Sequence, residues 1–175
     1  LDEGNYIKLI NYHLENGTHG LVPGGTTGES PTLSHVEHKK IINLSVKECQ
    51  NKIPVIAGTG SNSTVEAVEL SKFADKAGAD VLLVVTPYYN KPTQEGLYQH
   101  YKMINDNVGI PIIIYSMPSR SVIDMSVETM SRLYELKNIV GVKDATGDLN
   151  RADQQLKAMG GEFIMVTGGD GNALE

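Results

Sequence analysis

Ala79-Asp-Val-Leu-Leu-Val-Val-Thr-Pro-Tyr-Tyr-Asn-Lys-Pro92 is the stretch on which the fold turns. Its first half is an unbroken apolar run, and its second half is polar and aromatic. A strand with one wet face alternates apolar and polar residues. A continuous run marks a strand covered on both faces, as in a parallel sheet. Taken over Asp80–Thr86, this run has five counterparts: His19–Gly24, Ile53–Gly58, Ile110–Tyr115, Asn138–Lys143 and Glu162–Thr167. Strand starts recur every 24 to 34 residues.

Amphipathic segments lie between the runs. Helices are expected at Tyr6–Glu15, His35–Gln50, Thr64–Ala77, Thr93–Asn107, Ser126–Leu136 and Leu149–Met159. Ser34 with Glu37, and Ser63 with Glu66, are capping-box pairs that open two of them. Regular alternation of strand and helix means an α/β fold, either a doubly wound sheet or a (β/α)8 barrel. A dinucleotide-binding sheet needs Gly-x-Gly-x-x-Gly at its first turn. Only Gly58-Thr59-Gly60 is present, and after the second run. Polar residues stand at nearly every strand's carboxyl end: Thr26-Thr27, Thr59, Tyr88-Tyr89, Tyr115, Lys143 and Gly168-Gly169-Asp170. A barrel gathers such ends around one mouth, whereas an open sheet spreads them along an edge. The (β/α)8 TIM barrel is therefore the expected fold.

The chain has 175 residues, 40% hydrophobic and 21% charged, which excludes disordered and fibrous classes. A net charge of −6 without a Lys/Arg stripe argues against nucleic-acid binding. No apolar run is long enough to span a membrane. One cysteine, Cys49, suits a reducing compartment, and a cytoplasmic location is expected. A barrel typically takes about 250 residues. Residues 1–175 are thus expected to form one barrel domain, incomplete at both ends. It would carry strands 2–7 and lack strands 1 and 8 and a C-terminal helical region. Such an open barrel would be marginal in isolation.

Lys143 ends its strand at the rim of an apolar interior, where loss of solvent favours a neutral amine able to attack a carbonyl. A snorkelling surface lysine is the plainer reading. Tyr115 is placed to move protons or to plug the barrel end. Arg120 follows Pro118 on a stiffened loop that suits capture of a carboxylate. Gly24–Ser30 offers backbone amides and two hydroxyls to an anion. Tyr88 and Tyr89, being adjacent in extended chain, point opposite ways. His35 and His38 share a helix face but find no third ligand there, so no metal is expected.

In this order the motifs resemble the dihydrodipicolinate synthase / N-acetylneuraminate lyase family. The matching strings are Gly25–Ser30, Ile53–Gly60, Thr86–Asn90, Gln94–His100, Tyr115–Arg120 and Gly141–Asp148. They run through essentially the whole chain. Thr26-Thr27 and Arg120 are similar to the synthase branch rather than to the lyases.

The resemblance implies a class I, Schiff-base condensation of pyruvate with L-aspartate 4-semialdehyde, in lysine and diaminopimelate biosynthesis. Lys143 would form the imine, so no metal or organic cofactor is implied. Tyr115, Thr26 and Tyr89 would relay protons, Tyr89 reaching a neighbouring subunit. Thr27 and the Gly168 backbone would hold the pyruvate carboxylate, and Arg120 that of the semialdehyde. Ser30, His35, His38, Asn62, Glu66 and Tyr88 match positions where L-lysine binds as inhibitor. A homotetramer of tight dimers is implied. The alternatives are N-acetylneuraminate lyase or 2-keto-3-deoxy sugar acid aldolase activity, or a barrel fragment without catalysis.

Overall fold

The computed structural model describes residues 1–172. Five strands, β1 (Ile56–Gly58), β2 (Val81–Val85), β3 (Ile112–Ser116), β4 (Ile139–Asp144) and β5 (Ile164–Thr167), pair in parallel in the order β1-β2-β3-β4-β5. Strand order thus follows chain order without reversal. A doubly wound sheet reverses direction at a switch point, whereas a barrel wall does not. The expected first run, His19–Gly24, forms only one parallel bridge, Leu21 to Val55. The hydrogen bonds Leu21 N to Pro54 O, Ile56 N to Leu21 O and Gly58 N to Pro23 O still hold it alongside β1. Pro23 lacks an N–H and Gly24 takes a φ of 69°, so a regular ladder stops there.

The helices are α1 (Glu3–Glu15), α2 (His35–Cys49), α3 (Thr64–Ala77), α4 (Gln94–Asn105), α5 (Pro118–Ser121), α6 (Val127–Tyr134) and α7 (Leu149–Met159). The expected bounds are met at α3 and α7. Ser34 and Glu37 form the reciprocal capping box of α2, and Gly78 closes α3 in the left-handed region. The segment expected as a stiff loop after Pro118 is instead a single helical turn, α5. Proline with its fixed φ sits at that turn's start, where a missing N–H costs nothing. After β5 a 3-10 turn covers Asp170–Asn172.

Two apolar layers sandwich the sheet. Leu82, Val84, Ile112, Ile114, Ile139 and Val142 face the helices and pack with Leu97, Tyr101, Met130 and Leu133. Leu83, Ile113, Tyr115 and Met117 face the other way, with Ile56, Val85 and Val140 beside them. Both faces are covered, which is why the strands read as continuous apolar runs. Between β3 and β4 the register shifts: Ile112 pairs with Ile139 but Ile113 pairs with Gly141. The extra residue on β4 reverses its alternation, so Lys143 comes to face the inner layer.

Among the described residues, no helix is long and apolar enough to cross a membrane. Nor is there a group of three or more His, Cys, Asp or Glu able to hold a metal. Cys49 is buried in a small cluster with Ile10 and Val55. Burial pushes its thiol up, which suits a packing role.

Candidate active site

The carboxyl ends of the strands open into a cavity of about 230 Å³. Thr26, Tyr88, Tyr115, Met117, Arg120 and Ser121 are among its walls. Leu83 and Val85 supply an apolar floor. Lys143 pairs in register with Tyr115. Its Nζ lies 4.6 Å from the centroid of the Tyr115 ring, so the amine stands beside the cavity across one aromatic face. The Tyr115 hydroxyl is buried and donates to Met117 Sδ at 2.9 Å. A thioether is a weak acceptor, so the phenol proton is held without being committed. Arg120 is carried by α5, whose turn is closed by Ser121 Oγ donating to Met117 O at 2.9 Å.

The loop bearing Thr26 is held by close backbone contact. A Cβ on Gly58 would collide with the carbonyl oxygen of Gly24, so only glycine lets β1 approach this loop. His38 Nε2 donates to Gly58 O at 2.7 Å from the other side. Burial lowers the His38 basicity, opposed by the Gly58 carbonyl and Glu66 and helped by nearby His35. The ring therefore packs as a neutral donor against the glycine loop.

A second cavity of about 170 Å³ adjoins the first and shares Ser30, Pro31, Gly60 and Tyr88 with it. His35, His38 and Glu66 also line it. Glu66 is within 2.6 Å of His35 Nε2 and accepts from Ser61 Oγ. Asn62 is not among the walls; its carbonyl accepts from Asn90 Nδ2 at 3.1 Å.

The remaining expected residues are placed differently. Thr27 is exposed and does not line the first cavity. Tyr88 turns inward, while Tyr89 is 87% exposed with a φ of 73°. A tyrosine in the left-handed region is strained unless something over-determines it. The Gly168 N–H donates to Asp144 O at 2.7 Å, which ties β5 to β4. Sequence reasoning missed Met117 and Ser121 as cavity walls. No periodicity marks them, because they sit where β3 turns into α5.

The family model described as the dihydrodipicolinate synthetase family matches residues 1–175. The chain is 70% identical over 175 residues to the 4-hydroxy-tetrahydrodipicolinate synthase of Pelagibacter ubique, covering 100% of this chain and 60% of that protein. Among solved structures it is similar to the chloride-inhibited dihydrodipicolinate synthase of Acinetobacter baumannii complexed with pyruvate. The TM-score there is 0.93 at 50% identity, over 96% of this chain and 58% of that one. It is also similar to the enzyme of Cyanidioschyzon merolae with lysine bound, with a TM-score of 0.93 at 38% identity, over 97% and 58% of the two chains. The chain spans about three fifths of the length of the curated relatives it matches. A matching family model over every residue, a strand order without reversal and a lysine facing a tyrosine at the strand ends agree: this chain belongs to the dihydrodipicolinate synthetase family.

Proposed function

We propose that the protein is a 4-hydroxy-tetrahydrodipicolinate synthase, condensing pyruvate with L-aspartate 4-semialdehyde for lysine and diaminopimelate biosynthesis. The observation that carries this reading is the placement of Lys143 Nζ 4.6 Å from the Tyr115 ring, beside a cavity that also holds Thr26 and Arg120. The Lys143 amine attacks the pyruvate ketone, water leaves, and an imine forms. The imine draws electrons, so a methyl proton departs and an enamine results. The enamine carbon attacks the aldehyde. The amino group of the semialdehyde then attacks the imine carbon, which closes the ring and frees Lys143. Tyr115 and Thr26 move the protons, with Tyr89 as third member. Arg120 pairs with the semialdehyde carboxylate, and the Thr27 hydroxyl takes that of pyruvate; the Gly168 N–H, expected to share it, is committed to Asp144 O. The electron sink is made from substrate, so the reaction needs no metal or organic cofactor.

Incubation of the full chain with pyruvate, followed by borohydride and mass measurement, tests the reading. A stable adduct on Lys143 is expected. Its absence, or turnover of N-acetylneuraminate or a 2-keto-3-deoxy sugar acid in place of the semialdehyde, would sink it.

The second cavity supports a further reading: L-lysine binds there as inhibitor. Glu66 is the partner for its ammonium, while Ser30, His35, His38 and Tyr88 surround the remainder and Asn62 follows the wall residue Ser61 just outside. The lysine-bound relative from Cyanidioschyzon merolae supports this. Pro31 lines the cavity and offers no N–H. Exposure of Tyr89 supports a homotetramer of tight dimers in which that ring serves a neighbouring site. A cytoplasmic setting fits a biosynthetic enzyme of this kind.

A further inference from the structure

We propose that Arg151 is a positioning residue for this reaction: its guanidinium ties the strand end carrying Lys143 to the loop carrying Arg120, from outside the cavity. The inference rests on the Schiff-base reading above. Arg151 projects from the first turn of α7 and is 8% exposed. Its Nη1 donates to Asp124 Oδ2 at 2.8 Å, and its Nη2 donates to the Met125 carbonyl. Its Nε lies 3.2 Å from Asp144 Oδ2, within ion-pair range although the N–H is not aimed along that line.

Those acceptors belong to two separate segments. Asp144 follows Lys143 on β4 and points to the helix side as Lys143 points inward. Its carboxylate also accepts from Thr146 N at 2.8 Å, Thr146 Oγ1 at 2.6 Å and Gln155 Nε2 at 2.7 Å. The β4 terminus is thereby clamped to α7. Asp124 and Met125 close the segment that α5 opens, four residues beyond Arg120. Gln94 Nε2 donates to Asp124 O at 2.8 Å and holds the same segment from α4.

A buried guanidinium is weak evidence of a stability role, since an apolar side chain of like volume often packs as well. What the planar fork supplies is direction, with donors fixed toward several acceptors at once. Arg151 touches neither Lys143 nor Arg120. It sets the distance between the atom that forms the imine and the cation that holds the second substrate's carboxylate.

The test uses two variants of the full chain, measured well below their melting temperatures. Asp124→Ala, at a half-exposed position, loosens only the Arg120 segment. It should raise KM for aspartate 4-semialdehyde about five- to tenfold while the rate of borohydride-trapped pyruvate imine stays within about twofold. Arg151→Met loosens both segments, and should raise that KM and also slow imine formation roughly tenfold or more. Should Arg151→Met fail to fold, Asp124→Ala decides alone. Variants that lower only the melting temperature, with KM and trapping rate as in the unaltered protein, would overturn the proposal. An unaltered protein that traps no pyruvate would overturn the Schiff-base reading and this proposal together.

Discussion

Lys143 and Tyr115 are register partners on adjacent parallel strands, with Nζ 4.6 Å from the ring centroid. The pairing depends on the extra residue in β4, since the register Ile112 to Ile139 would otherwise set Tyr115 against Val142. The ring and the hydroxyl of Tyr115 have separate jobs. The ring borders the amine, and the hydroxyl donates to Met117.

Tyr115→Phe keeps the ring and removes the hydroxyl. Pyruvate should still be trapped on Lys143 by borohydride. Turnover with both substrates should fall by roughly 10²- to 10⁴-fold, the usual share of a proton-transfer group. Steady-state rates alongside intact mass measure both, and a near-normal rate would remove Tyr115 from the relay.

Gly58→Ala places a methyl group against the Gly24 carbonyl, which backbone cannot easily yield. Overpacking of this kind costs about 1–3 kcal/mol. Because the displaced loop also carries Thr27, KM for pyruvate should rise as well. Denaturant titration gives the first value and initial rates the second; a variant as stable and as active as the parent would refute the contact.

His100 is buried, with Nδ1 2.9 Å from Thr64 Oγ1 and Nε2 without a partner. Burial lowers its pKa to about 4. The folded state therefore binds fewer protons than the unfolded state, where an ordinary histidine titrates near 6.5. Its contribution is intact above pH 6.5 and is lost as pH falls toward 4, amounting to about 3 kcal/mol. Denaturation of the protein and of His100→Gln between pH 7 and 4 checks this. The variant should lack that portion of the slope; parallel curves would disprove it.

Glu66→Gln removes the carboxylate that His35 and Ser61 hold in the second cavity. If that carboxylate pairs with a ligand ammonium, calorimetry should show L-lysine bound about tenfold more weakly. Equal affinity in the two proteins would take Glu66 out of the site.

Much of the architecture was legible in the chain because its physical causes are local. Capping at Ser34 and Ser63, the Gly78 stop and the apolar runs at 81–85 and 112–116 act within a few residues. They suffice for helix bounds and for a parallel sheet. The motif order points to the family for the same reason, since every string but Gln94–His100, which opens α4, lies on a strand or at its carboxyl end. Less legible was the first run, where Pro23 and Gly24 reduce a strand to one bridge. The turn at Pro118 is ambiguous in sequence as well, because proline stiffens loops and opens helices alike.

Alternation of strand and helix and the polar residues at the strand ends follow from the chain alone, whereas the inward Tyr88 and outward Tyr89 depend on a left-handed turn at Tyr89 rather than on extended chain. Which groups meet is set by long-range packing and register. Strict alternation from Ile139 would place Lys143 on the helix side, and the bulge at Val140 turns it inward toward Tyr115. Met117 as acceptor, Gly24 against Gly58, and Arg151 bridging Asp124 and Asp144 all join residues far apart in the chain or across a turn. Local propensity carries no information on such pairs, because register and packing are set by the whole sheet and the helices laid on it.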